Sequence, residues 1–166
     1  MKMEIAADSG RKRVFEIPVC YGGELGPDLQ IVADHANLSP EEVIRIHTST
    51  DYLIYMLGFL PGFTYLGGLD EQIHTPRLPN PRLLIPAGSV GIGGSQTGIY
   101  PLDSPGGWNL IGRTPVKTYD PNRAVPILVE AGDYIRFVSI DRAEYDRILD
   151  LIERGEYTVP VHEKEA

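Results

Sequence analysis

The sequence predicts a mainly-β domain, a β-barrel or closed sheet with two or three peripheral helices. Three observations predict it. Short apolar stretches with period-two alternation recur along the chain. Two segments carry the end signals and the 3.6-residue apolar period of a firm helix. Between them, residues 86–113 are so rich in glycine and proline that no helical period survives.

Taken in order, residues 1–13 are polar and have nothing to bury, so a flexible N-terminal segment is expected. Residues 14–21 alternate as a strand, which Pro18 pushes toward a sheet edge or a bulge. A Gly-Pro turn follows, and Leu29, Ile31, Val32 and Ala36 are spaced for a short helix. Ser39-Pro40-Glu41-Glu42 opens the first firm helix. Ser39 is the cap, Pro40 suits the first helical position and Glu42 completes the capping box. Val43, Ile44 and His47 are expected on its buried face. Residues 52–56 read as a strand. Residues 58–63 and 66–69 read as a loop with apolar side chains inside it.

Four prolines in residues 74–86 exclude a helix and argue against a central strand. Residues 115–119, 124–130 and 134–140 are expected to be extended, with a turn at Ala131-Gly132-Asp133. Asp141, with Glu144 three residues on, caps the second firm helix. Tyr145, Ile148, Leu149 and Ile152 form its apolar stripe, and Gly155 stops it. The body of the domain is expected over 14–155, with a polar tail over 156–166.

The 166 residues suit one domain with a real core, and 42% hydrophobic with 23% charged residues is ordinary for a globular protein. A formal net charge of -8 argues against nucleic acid as partner, since such binders present a basic face. Cys20 stands alone, so no internal disulfide forms, and a reducing, cytoplasmic location is expected. No apolar run reaches membrane-spanning length, and no membrane partner is expected.

Candidate chemistry is sparse. The glycines of residues 88–94 lack the order of a phosphate-binding loop, so no nucleotide is expected on this chain. His35, His47, His74 and His162 are scattered, and no metal is expected. Ser89 follows a glycine but sits in no nucleophile elbow, and turn formation competes with a catalytic role. Arg77, Arg82 and Arg113 stand among prolines and glycines in an acidic chain. Guanidinium groups grip carboxylates bidentately, so these arginines are candidates for an oxyanion or carboxylate, with surface ion pairs as the alternative. Gln96 and Thr97 are candidate hydrogen-bonding groups. Phe59, Tyr100 and Trp108 are candidates for a pocket wall or a partner face, and a core role is equally open.

Several motifs together resemble one family. They are Ile17-Pro18-Val19-Cys20-Tyr21-Gly22-Gly23 with Gly26-Pro27-Asp28-Leu29, and Tyr55-Met56-Leu57-Gly58-Phe59-Leu60-Pro61-Gly62-Phe63. Pro86-Ala87-Gly88-Ser89-Val90, Gln96-Thr97-Gly98-Ile99-Tyr100-Pro101, Ser104-Pro105-Gly106-Gly107-Trp108 and Ile111-Gly112-Arg113-Thr114 complete the set. The chain thereby resembles the KipI / PxpB / allophanate hydrolase subunit 1 family over residues 14–140. The resemblance implies a cyclophilin-like β-barrel. It also implies that the chain corresponds to the C-terminal domain of proteins that usually carry a smaller α+β domain before it.

For function, the resemblance implies a non-ATP-binding subunit of an ATP-dependent 5-oxoprolinase, inactive alone. It would work with a KipA/PxpC-like subunit and a PxpA-like subunit that uses the ATP. On that reading Arg77, Arg82 or Arg113 binds the substrate carboxylate, and Ser89, Gln96 and Thr97 bond its amide. Tyr100 and Trp108 wall the site, and His47 is a weaker acid/base candidate alongside Ser89. Two alternatives come with the family: an inhibitor of a sporulation-type histidine kinase that binds its dimerisation domain, and a urea carboxylase or allophanate hydrolase type of subunit.

Overall fold

The computed structural model describes residues 12–57, 64–124 and 126–164. Its centre is a closed barrel. Strands β1 (Arg13–Tyr21), β2 (Tyr52–Leu57), β3 (Thr64–Gly67), β5 (Ser89–Gly93), β6 (Gln96–Ile99), β8 (Asn109–Arg113) and β9 (Tyr134–Ile140) form it. The order around the barrel is β1-β8-β5-β6-β3-β2-β9, and β9 closes it by pairing with β1 in parallel from Val14↔Tyr134 to Cys20↔Ile140. The other barrel pairings are antiparallel. Closure removes the sheet edges that an open sheet must protect. Outside it, β4 (Arg82–Ile85) and β7 (Ser104–Gly106) make a two-stranded ribbon.

Three helices among the described residues complete the mainly-β fold expected: α1 (Leu29–Ala36), α2 (Pro40–His47) and α3 (Arg142–Glu153). The N-terminal caps and the glycine stop act as read, whereas the Glu42 carboxylate bonds Arg45 instead of closing the capping box on Ser39. Ser39 Oγ accepts the Glu42 N–H, Asp141 accepts the Glu144 N–H, and Gly155 takes a positive φ of 70° past the end of α3. The stripe of α3 is buried at Tyr145 and Ile148.

The main core fills the barrel. Phe15, Ile17 and Val19 point into it from β1, and Ile54, Leu66, Val90, Ile92, Ile99, Ile111, Ile135 and Phe137 from the other barrel strands. Helices α1 and α2 add Leu29, Val32, Ala33, Val43 and Ile46 to the same cluster. Ile46 joins Val43 and His47 on the buried face of α2, and the expected Ile44 is partly buried against the same core. A second cluster lies outside the barrel, where Ile85, Tyr100, Trp108 and Leu110 pack together with Tyr65 beside them. A third joins Cys20 and Leu25 to Tyr145 of α3.

Several local expectations are corrected. Pro18 lies inside a central strand, neither at an edge nor in a bulge. Along that side of β1, the strand Val161–Glu163 (β10) pairs with Arg13, Val14 and Phe15, whereas β8 pairs with Cys20 and Tyr21. Glu16 N–H donates to Pro160 on this side, so alternation aims the Pro18 nitrogen into the unpaired interval. A missing donor costs nothing there. β10 itself lies within the expected polar tail, and Tyr157 and Val159 of that segment pack against the main core. Its pattern is too short and too exposed to announce a strand. β1 starts one residue earlier than read, and residues 1–11 lie outside the described residues. Leu66 and Gly67 belong to β3, not to a loop. Residues 115–130, expected as two strands, form no named strand among those described and hold a single bridge, Tyr119↔Ile127.

Candidate functional site

The structure separates the candidate residues into four places. The first is the barrel interior, which holds His47 and Thr97. The C-terminus of α2 delivers His47 into the core, where it is fully buried and stacks on Phe137 at 4.6 Å between ring centroids. Its Nε2 lies 3.0 Å from Thr97 Oγ1 and its Nδ1 2.6 Å from the Tyr21 hydroxyl. Thr97 Oγ1 donates to Gly91 O at 2.8 Å. The threonine oxygen is therefore free to accept, which makes His47 Nε2 the donor and Nδ1 the acceptor of the Tyr21 O–H. Burial pushes the His47 pKa from 6.5 down to about 3. It also raises the Tyr21 hydroxyl well above its ordinary value. The imidazole is neutral and fully engaged. The arrangement ties α2 to β1 and β6 and leaves His47 no free nitrogen for a substrate.

The second place is the outer face of β5, β6 and β8. Gly91, Gly93 and Gly98 form a flat platform on which the Trp108 indole lies. A Cβ on Gly93 would stand 2.3 Å from Trp108 Cδ1, so the platform requires glycine. Tyr100 and Tyr65 meet the indole edge-on at 6.1 and 6.2 Å. Trp108 and Tyr100 are each only 4% exposed. They are core residues here and not an open wall, which corrects the expectation of a pocket or partner face. Residues 75–86 run over this cluster. They are fixed by Thr75 and Gly94 exchanging backbone bonds, by Leu78 N–H to Gly107 O at 2.6 Å, and by Asn109 Nδ2 to Pro76 O at 2.9 Å.

Arg82 completes that attachment. Its Nη1 and Nη2 lie 2.6 and 2.8 Å from the two carboxylate oxygens of Asp28, a buried residue. Asp28 Oδ2 also accepts the Leu110 N–H at 2.8 Å. The guanidinium is thus committed to an internal carboxylate, the ion-pair alternative for this arginine. Arg77 is exposed near Tyr100 and makes no ion pair among the described residues.

The third place is the end of the barrel where β5, β8, β1 and β9 meet. Ser89, Arg113, Cys20 and Ile140 are aligned across these four strands. Ser89 is fully buried, and neither its Oγ nor Arg113 Nε has a hydrogen-bond partner among the described residues. Burial raises the Tyr145 hydroxyl and the Arg113 charge opposes that shift, and Arg113 also acts with Arg142 to hold the Glu24 carboxyl below its usual range, Arg142 being the stronger influence. Next to this row is a cavity of about 300 Å³ lined by residues 20–25 and 140–142. Burial raises the Cys20 thiol, so it is not an activated nucleophile.

The fourth place is the barrel surface at β2 and β6, where Gln96 Nε2 donates to the Tyr55 hydroxyl. Phe59 lies outside the described residues. No group of three or more His, Cys, Asp or Glu side chains suited to a metal occurs among the described residues. Among them, too, no helix is long and apolar enough to cross a membrane.

Sequence reasoning missed Tyr21, Asp28 and the cavity beside Cys20. Period-two alternation could have found Tyr21, since it shares a face with Ile17 and Val19. Asp28 and Arg82 are 54 residues apart, and no local pattern links them.

Comparison with known proteins accounts for this fold. Residues 1–129 match the profile of the carboxyltransferase domain, subdomain C and D. The chain is 56% identical over 143 residues to a 5-oxoprolinase subunit of Bacillus subtilis (strain 168), covering 86% of this chain and 60% of that protein. It is 60% identical over 126 residues to the 5-oxoprolinase subunit of the same name in Escherichia coli O157:H7, covering 76% of this chain and 58% of that protein. The chain therefore spans somewhat less than two thirds of these relatives. A solved structure of a conserved uncharacterized protein from Pyrococcus horikoshii superposes with a TM-score of 0.77 at 57% identity, over 80% of this chain and 61% of that one. The urea amidolyase of K. lactis shares the fold at a TM-score of 0.80 and 21% identity, over 93% of this chain and 11% of that one. The chain belongs to the family of the carboxyltransferase domain, subdomain C and D, and within it to the KipI/PxpB type that its motifs resemble.

Proposed function

We propose that the chain is a subunit of an ATP-dependent 5-oxoprolinase that opens the lactam of 5-oxoproline to glutamate. The observation that carries this reading is the 53–60% identity to three proteins, each named as the same subunit of a 5-oxoprolinase. That name implies an assembly of several chains. In this proposal the other members are a KipA/PxpC-like subunit and a PxpA-like subunit that uses the ATP, and this chain binds no cofactor.

Within the chain, the barrel end supports a substrate contact better than the other three places. Arg113 is the proposed carboxylate ligand, because its guanidinium retains an unused donor while that of Arg82 is held by Asp28. Ser89 lies opposite Arg113 on β5, but its fully buried Oγ is not part of the cavity lining, so it supports the strand beside Arg113 instead of meeting the substrate. Thr97 and His47 satisfy each other and support the barrel. The test is glutamate release from 5-oxoproline and ATP by the mixed subunits, with and without this chain. Replacement of Arg113 by Gln then tests the site. A rise in KM for 5-oxoproline of about tenfold or more is expected for a lost charged contact.

A further inference from the structure

Among the described residues, Arg142 is the one cation in the lining of the cavity at the barrel end, where it stands beside Glu24 and Asp141. The floor of the cavity is apolar. Cys20 and Leu25 are buried and pack with Tyr145 of α3, and Ile140 packs against them. Glu24 and Arg142 stand at the rim, since their side chains are 75% and 52% exposed. Arg142 Nη1 donates to Glu24 Oε1 at 2.5 Å, which ties the turn Gly23–Leu25 to the start of α3.

The arginine is positioned without Glu24. Its Nε donates to Asp146 Oδ1 at 3.2 Å, one turn along α3, and its guanidinium carbon lies over the Tyr145 ring, 5.7 Å from the centroid. The backbone that carries Glu24 is also fixed, by buried Leu25 and by the Gly22 N–H donating to Ile111 O at 3.0 Å. Rotation of the Glu24 side chain alone therefore frees the Nη1 side of the guanidinium. An exposed ion pair contributes little in water, so exchanging its carboxylate for another costs little. Asp141 does not compete for the arginine, because its carboxylate caps α3 by accepting the Glu144 N–H. The charge of Arg113 acts on Glu24 as well, so a carboxylate in that place lies in the field of two arginines.

We propose that Arg142 is a second binding residue for the substrate carboxylate, and that Glu24 is its internal competitor, turned out into solvent when the substrate enters. The ligand class is a small carboxylate with an apolar body, seated over Cys20, Leu25 and Ile140. The proposal rests on the reading of this chain as a 5-oxoprolinase subunit, whose substrate is of that class. It adds which residue at the rim receives the carboxylate and which residue opposes it.

The test follows glutamate release from 5-oxoproline and ATP by the mixed subunits, with variants of this chain whose melting curves match wild type. Arg142→Gln is expected to raise KM for 5-oxoproline about tenfold with kcat little changed. Glu24→Gln is expected to lower KM about two- to fivefold, the span of an exposed pair. In the double variant, KM should match that of Arg142→Gln, because Glu24 acts through the arginine. Arg147→Gln is the control: Arg147 lies on the same helix, pairs with Glu144 and is not in the lining. An unchanged KM in both single variants, while glutamate release still needs this chain, overturns the proposal and leaves the 5-oxoprolinase reading standing. A KM raised alike by both single variants makes the pair a brace of the cavity wall and overturns the competition. Release that does not need this chain overturns the reading, and the proposal with it.

Discussion

Arg82 and Asp28 form a two-pronged ion pair, with nitrogen–oxygen distances of 2.6 and 2.8 Å, between an arm outside the barrel and the residue that precedes α1. Asp28 is buried and also accepts the Leu110 N–H, so the pair joins the arm, α1 and β8 at one point. Removing the arginine leaves a buried carboxylate with one backbone donor. We expect Arg82→Ala to cost about 2 kcal/mol, less than for a fully buried pair because the guanidinium is 30% exposed. Replacing both residues, Arg82→Met with Asp28→Asn, should cost less than the two single changes summed. Urea unfolding of the four proteins checks this, and additivity would remove the coupling claimed for the pair.

His47 makes stability depend on pH. Its folded pKa, about 3, lies below the 6.5 of the free side chain, so the unfolded chain binds the proton more readily. Its contribution is present in full above pH 6.5 and is lost as pH falls toward 3. Within that window the loss approaches about 1.4 kcal/mol per pH unit from this group. His47→Gln should be less stable at pH 7 and should show a shallower decline with acid than wild type. Parallel slopes in the two proteins would contradict the neutral, buried imidazole.

The glycine platform under Trp108 gives a third prediction. Gly93→Ala places a methyl group against the indole and should cost about 1–3 kcal/mol, with altered near-ultraviolet circular dichroism from the displaced ring. Trp108→Ala should cost about 3–5 kcal/mol, because the ring fills the space between the barrel and the arm. A nearly neutral Trp108→Ala would return the ring to the surface role that its residue type suggests.

These residues mark how far the sequence could be read. Helix ends were legible because their signals are local: Ser39 and Asp141 act within three residues of where they stand. The barrel was legible as a class, since residues 14–21 and 134–140, read as strands from their alternation, form β1 and β9, although β1 is buried on both faces. Pro18 misled because its tolerance depends on an interval between two partners, β10 and β8, that lie far along the chain. Trp108 gave no sign of its burial, since the cover over it comes from residues 75–86 and the platform from three glycines on two strands. At the candidate site, Arg113 and Ser89 were singled out by type. Their alignment across β8 and β5 is a matter of register, and one-residue shifts in register are invisible to composition.

The central claim is that this chain is a working subunit of a 5-oxoprolinase. The most direct measurement follows glutamate formation from 5-oxoproline and ATP in a mixture of this chain with the KipA/PxpC-like and PxpA-like subunits, omitting each in turn. The account predicts glutamate release in the complete mixture and its loss when this chain alone is left out. Release that continues unchanged without this chain would contradict the account. So would a complete mixture that stays inactive with this chain but becomes active when its relative from Bacillus subtilis (strain 168) takes its place.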